Sequence, residues 1–120
     1  MGDLSRNFSR LEFRCPCCGN DGVSVDLVMA LQELRDKAGV PIAVTSGVRC
    51  DAWNEKVGGS KRSQHILGKA ADIVIRGAEP AEAMELAVLV DAFRDGGIGV
   101  YPDNGFIHVD VRGRKARWVG

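Results

Sequence analysis

The chain has 120 residues, enough for one domain around one core, and 45% of them are hydrophobic, which suits a globular protein and excludes a disordered one. Sixteen basic and sixteen acidic side chains cancel to a formal net charge of zero, so the chain as a whole carries no field that would gather nucleic acid. No apolar run approaches the ~20 residues of a membrane span, and Met1 to Arg14 lacks the apolar stretch of a signal peptide; the expectation is a monomer made in the cytoplasm, with no membrane insertion and no nucleic-acid partner.

In chain order, Met1 to Arg14 reads as an extended arm that Phe8, Leu11 and Phe13 pin to the body. Cys15 to Gly22 reads as a loop, with Pro16, Gly19, Asn20, Asp21 and Gly22 as turn formers. That loop holds Cys15, Cys17 and Cys18; the fourth cysteine is Cys50. The Cys-Pro-Cys-Cys spacing does not match a two-knuckle zinc site, because only one further cysteine follows and it lies far downstream. Reduced, partly buried thiols that tie the N-terminal segment to the core are the simplest reading. A bridge to Cys50 and a second, structural metal are the alternatives, and sequence does not choose among pairings.

Ser24 or Asp26 can cap a helix on which Leu27, Leu31 and Leu34 recur at helical spacing, with Val28, Ala30 and Ala38 beside them; Gly39 ends it. Pro41 to Thr45 is a short apolar run that reads as a buried strand, closed by Ser46-Gly47. Residues 51–57 form one or two helical turns, Lys61 to Gly68 is a loop, and Ala70 to Ile75 is a second strand. Pro80 at a first turn, Glu82 and Glu85 near the N-terminus, and apolar Ala83, Leu86, Ala87, Val90 and Phe93 predict a helix over 80–94. Ile98 to Tyr101 and Phe106 to Val111 are strands joined through Pro102-Asp103-Asn104-Gly105, a hairpin signal. The tail, with Arg114, Lys115 and Arg117, reads as a solvated edge. The sum is one domain over 1–120 of α+β class, a small antiparallel sheet with flanking helices.

The chemistry gathers on two stretches. His65 in the loop and His108 in the last strand are the only histidines, and Asp72 follows His65 by seven residues. Two neutral imidazoles and one carboxylate make a three-ligand set that leaves a fourth position on zinc open. Strand alternation puts Ala70, Asp72 and Val74 on one face, and an acid in so apolar a strand is costly to bury unless paired or metal-bound. The alternatives are an Asp72 on an exposed face and histidines that are merely hydrogen-bonded within the fold.

Further motifs carry a resemblance. Ser46-Gly47-Val48-Arg49, Asn54 before Val57-Gly58-Gly59, Ser63-Gln64-His65-x-x-Gly68-x-Ala70-x-Asp72, Gly97-Ile98-Gly99-Val100-Tyr101-Pro102 and Phe106-Ile107-His108-Val109-Asp110 resemble the zinc D-alanyl-D-alanine carboxypeptidase family. That family includes vancomycin-resistance dipeptidases, murein peptidases and phage endolysins, and shares its fold with the hedgehog signalling domain. The resemblance covers about Phe8 to Trp118 and is nearest to a short, single-domain branch common in phages. It implies a DD-peptidase-like fold, zinc on His65, Asp72 and His108, and peptidoglycan peptides as substrate at the cell wall. It also implies an Arg49 that faces substrate, with Ser63 and Gln64 lining the pocket. A guanidinium fixed after a strand end suits an oxyanion or a terminal carboxylate; the alternative is a surface pair with Asp51 or Glu55.

One departure matters. Many relatives place an acid three residues before the last zinc histidine, or a histidine two before; Gly105 and Phe106 stand there in this chain. Asp110, on the strand face of His108, is the first expectation for the general base and Asp103 the second, with Asp110 as an orienter of a ligand imidazole the other role open to it. A zinc module that binds cell wall or serves as a phage structural part, without catalysis, is the alternative to a peptidase.

Overall fold

The computed structural model describes residues 2–120; Met1, with which the expected N-terminal arm begins, lies outside them. Five strands form one sheet in the order β1-β2-β4-β3-β5: β1 is Ile42–Ser46, β2 Ala70–Ile75, β3 Gly97–Tyr101, β4 Phe106–Asp110 and β5 Ala116–Val119. The helices are α1 (Val25–Ala38), α2 (Asp51–Lys56), α3 (Pro80–Ala87) and α4 (Asp91–Arg94). The class is α+β, as expected. The sheet is mixed, however, because β5 runs parallel to β3 while β1, β2, β4 and β3 pair antiparallel. No helix among the described residues is long and apolar enough to cross a membrane.

Strand alternation divides the sheet into two functions. On one face Ile73 and Ile75 of β2, Ile98 of β3, and Ile107 and Val109 of β4 are buried in the core with Leu27, Leu31 and Leu34 of α1 and Ala83 and Ala87 of α3. At ~25 cal/mol per Å² of apolar surface, each of the leucine, isoleucine and valine side chains stabilises the fold by roughly 1.5–3 kcal/mol. The other face carries Asp72, His108 and Asp110. The bland packing face is thus what holds the reactive face flat and in register.

Several expectations are corrected. The N-terminal segment is not simply extended: it contains a 3₁₀ turn over Arg10–Phe13, in which Ser9 and Glu12 form a capping box. Phe8 and Phe13 are buried and 6.1 Å apart, but Leu11 is 73% exposed and pins nothing. Ser24 stands at the N-cap of α1 without a side-chain cap bond, while Gly39 ends that helix by donating its N–H to the Arg35 carbonyl. The helix expected over 80–94 breaks after Ala87, and Val90 is extended (φ −97°, ψ 117°) before α4 restarts. Two β-branched residues, Val88 and Val90, are costly in a continuous helix, and the break leaves both Val90 and Phe93 fully buried. The tail is a solvated edge, with Arg114 and Lys115 exposed, but it is also a strand: Ala116–Val119 pairs along β3 at the end of the sheet.

Candidate metal centre

Register places the site. Asp72 on β2 pairs with His108 on β4, His108 pairs with Gly99 on β3, and Gly99 pairs with Trp118 on β5. Residues paired directly across a sheet share a face, so one row across four strands carries Asp72, His108 and Trp118, with Gly99 between the last two. A side chain at Gly99 has no room, since a Cβ would come within 2.3 Å of the Trp118 indole nitrogen. The indole therefore folds over the sheet towards His108, with ring centroids 5.0 Å apart.

His65 reaches the row from the loop before β2. Its N–H donates to Ser63 Oγ (3.2 Å), and its carbonyl accepts the Arg49 N–H (3.1 Å). His65 Nε2 and His108 Nδ1 each stand 3.2 Å from Asp72 Oδ1. All three side chains are buried, at 2%, 7% and 7% exposure for His65, Asp72 and His108, so the Asp72 of an exposed face is ruled out.

The outer nitrogens decide what the inner ones can do. His65 Nδ1 lies 2.7 Å from the Gly47 carbonyl oxygen, which only accepts, so the ring donates there. His108 Nε2 lies 2.7 Å from Asp110 Oδ2 and donates to that carboxylate. Each neutral imidazole then turns a lone pair inward, against the lone pairs of Asp72. Three acceptors whose donor atoms all lie within 4.8 Å repel one another unless a cation, or a proton, sits among them. Two imidazoles and a carboxylate with ordered outer partners are a donor set that fits zinc.

Electrostatics follow from these bonds. Burial pushes the Asp72 carboxyl up, but hydrogen bonds and charge from His108 and His65 outweigh it and hold it at about 2. Burial alone would pull His108 down; its bonds to Asp110 and Asp72 win and raise it above the ordinary imidazole value. Without a metal, then, these bonds favour a proton between His108 and Asp72, which a metal must displace.

Arg49 does not pair with Asp51 or Glu55. Its Nε donates to Ser46 Oγ (3.2 Å), Nη1 to Asn54 Oδ1 (3.2 Å) and Nη2 to Asp72 Oδ2 (3.3 Å). Asn54 is itself buried and anchored, donating from Nδ2 to the Ser60 carbonyl (2.7 Å). Arg49, Ser63, Gln64, His65, Asp72 and His108 all line one cleft of about 920 Å³.

The two expected bases lie off that cleft. Asp103 is exposed in the hairpin turn and is not on the wall. Asp110 does share the His108 face, but it is 0% exposed. Its Oδ1 accepts from the Gly97 N–H (2.9 Å) and Arg112 Nε (2.9 Å), and its Oδ2 from His108 Nε2 and Arg112 Nη2 (both 2.7 Å). Burial opposes ionisation, yet the bonds from His108 and Arg112 hold this carboxyl well below the usual range. A carboxylate so enclosed is corrected from a base meeting cleft water to a group that orients His108. Sequence reading also missed the aromatic wall. Trp118 Nε1 donates to Tyr101 Oη (2.9 Å), Tyr101 stacks on Phe106 at 4.6 Å, and Arg112 lies 5.3 Å over the Trp118 ring. The signal available was the pair of glycines facing Trp118 and Asp110, since a Cβ at Gly97 would meet the Asp110 carboxylate at 2.2 Å.

Two histidines and one aspartate converging in a cleft of an α+β domain are a group that could hold a metal ion. Residues 6–110 match the family model described as Peptidase M15, and the chain belongs to that family. Among curated proteins it is 41% identical over 84 residues to a probable peptidoglycan L,D-endopeptidase MepK of Haemophilus influenzae, and 31% identical over 83 residues to the peptidoglycan L,D-endopeptidase MepK of Escherichia coli K12. The aligned stretches cover 66% and 65% of this chain and 43% of each relative, so the chain spans less than half the length of the curated relatives it matches.

Proposed function

We propose that this chain is a zinc-dependent peptidase that cleaves peptidoglycan stem peptides, as a D,D-carboxypeptidase or a murein endopeptidase of the phage endolysin kind, working at the cell wall. The observation that carries the reading is the convergence of His65 Nε2, Asp72 Oδ1 and His108 Nδ1 on one point of an open cleft. Zinc held there would supply Lewis acidity to a peptide carbonyl and to the attacking water.

The chain's own groups do the rest. Three bonds engage three of the five N–H donors of Arg49, which leaves two for a carbonyl oxygen or a terminal carboxylate. Because the guanidinium is already fixed, little reorganisation is needed when negative charge develops beside it. Lys61, Arg62, Arg112 and Arg114 also line the cleft, against Asp51 and Asp72 as the carboxylates. This cationic wall suits a peptide that carries free carboxylates. Ser63 holds the backbone of His65 in place, and Gln64 offers an amide to the peptide backbone. Asp110 fixes the His108 ring, and Asp51 is the other carboxylate on the cleft wall.

One observation favours the second reading, a zinc module that binds cell wall or serves in a phage particle without cleaving: neither Asp110 nor Asp103 reaches the cleft. Purified sacculi decide between the two. The zinc-loaded protein is expected to release new amino groups, with chelation or His108→Ala abolishing release. Binding to sacculi with no new amine and no shortened stem peptide would reject the peptidase.

A further inference from the structure

We propose that Cys15, Cys18 and Cys50, with Cys17 completing the set, form a second, structural zinc site that fastens the N-terminal segment to the loop carrying Arg49. Cys15, Cys18 and Cys50 bring their sulfurs within 4.8 Å of one another. Tetrahedral zinc with Zn–S bonds of ~2.3 Å sets its sulfurs roughly 3.8 Å apart, so the cluster needs only a small contraction. The exposed Cys17 thiol lies against that of Cys50 but outside this 4.8 Å group, so it would complete the set by turning inward. All four thiols are free.

The backbone supports thiolates there. Cys15-Pro16-Cys17-Cys18-Gly19 closes as a turn: Gly19 donates its N–H to the Cys15 carbonyl (2.9 Å), and Cys15 donates its own to the Asn20 carbonyl (2.8 Å). Gly19 takes φ 77°, the left-handed region that favours glycine. The turn directs the N–H groups of Cys17 and Cys18 at the Cys15 sulfur and that of Asn20 at the Cys18 sulfur. From the other side Cys50 N–H reaches Cys15 Sγ and Trp53 N–H reaches Cys50 Sγ, both at 3.4 Å. Burial pushes the Cys15 thiol up, but these amides outweigh it and bring it to about 7. A hydrogen bond with the Cys50 thiol, and then the charge of the neighbouring sulfurs, push Cys17 up. At Cys18 the Asn20 amide pulls down, but burial and the Cys15 and Cys50 thiols push it up on balance, a crowding of sulfurs that a cation would relieve. Binding releases the thiol protons to solvent and changes no oxidation state. A disulfide would join two of the sulfurs and leave a third thiol in the same small space.

The placement has a consequence for the cleft. Val48 donates its N–H to the Phe13 carbonyl (2.8 Å), so 13–15 runs beside 47–50. Within that second stretch lie the Gly47 carbonyl that fixes His65 and the Arg49 that touches Asp72. The cysteine site would brace both, whatever reaction the cleft performs.

The test separates the two metals. A His65→Ala/His108→Ala variant purified reduced with zinc is expected to keep about one zinc per chain; cobalt in its place is expected to show thiolate-to-cobalt charge-transfer absorption. In the wild-type protein a mercurial reagent is expected to release about one of about two zinc ions, a readout that stands even if the histidine variant fails to fold. Cys15→Ser/Cys50→Ser is expected to abolish the mercurial-released metal and leave the histidine-bound one. Freely reacting thiols with no mercurial-released zinc, or a mass lighter by the two hydrogens of a disulfide under reducing purification, would overturn the site.

Discussion

The two imidazoles turn different nitrogens inward, His65 its Nε2 and His108 its Nδ1, because the outer nitrogen of each is claimed first, by the Gly47 carbonyl and by Asp110. Asp110→Asn tests the second claim. If Asp110 orients His108, the variant is expected to lose ~10–100-fold in zinc affinity, read by chelator competition. A base would leave affinity intact and lower only the rate, which would contradict the assignment. Asp103→Asn should change neither. Arg49→Lys is expected to retain zinc and lose most of the turnover, since lysine lacks the planar fork; unchanged turnover would remove Arg49 from the site. Zinc affinity should also fall as pH drops from about 8 towards 4, beginning above the ordinary imidazole value because His108 is raised and takes up its inward proton early, while Asp72, held at about 2, stays ionised throughout. A flat metal-binding profile over that range would contradict the proton competition. The convergence of His65, Asp72 and His108 was legible because histidine is rare in this chain and Asp72 interrupts an apolar strand. The role of Asp110 was not, because alternation gives the face of a residue but neither its depth nor its other partners; Arg112 closes over it from beyond the strand end.

At the scale of elements, β5 is what the sequence concealed. Ala116–Val119 lies in a tail rich in arginine and lysine, and its burial is only intermediate up to the exposed Val119, so no periodic apolar signal marks it as a strand. It is set by the parallel pairing to β3 and by Trp118 covering Gly99. Gly99→Ala should therefore destabilise by about 1–3 kcal/mol, as overpacking does. Trp118→Ala should relieve much of that penalty, so the two changes should be less than additive in a double-mutant cycle of urea midpoints. Strict additivity would mean that the indole does not rest on Gly99. The hairpin of β3 and β4, by contrast, was readable from its turn residues, and α1 from its leucine spacing. The break between α3 and α4 was hidden because residues 80–94 keep a helical apolar stripe across it.

Across the whole molecule, segments far apart in sequence converge on one cleft: the β1–α2 loop, the His65 loop, the β3–β4 hairpin and the C-terminal strand. An α+β domain was evident from the succession of elements, whereas this convergence is a property of sheet order, which the chain order of strands does not state. Stability should record the buried charges. Asp72 and Asp110 have folded values below the ordinary carboxylate value of 3.8, so their contribution is complete above about pH 4 and lost as pH falls towards 2 and below. His108, raised, contributes below the ordinary imidazole value in metal-free protein and loses that contribution as pH rises through its folded value. Urea midpoints of metal-free protein should thus peak in mildly acidic solution; a monotonic rise to pH 8 would contradict the pairing. The central claim, a metal held by this particular trio, is met most directly by anomalous diffraction at the zinc edge from crystals of the zinc-loaded protein. The expected result is a peak bonded to His65 Nε2, Asp72 and His108 Nδ1 at the base of the cleft; a saturated crystal with no peak there, or one bound through His108 Nε2, would contradict it.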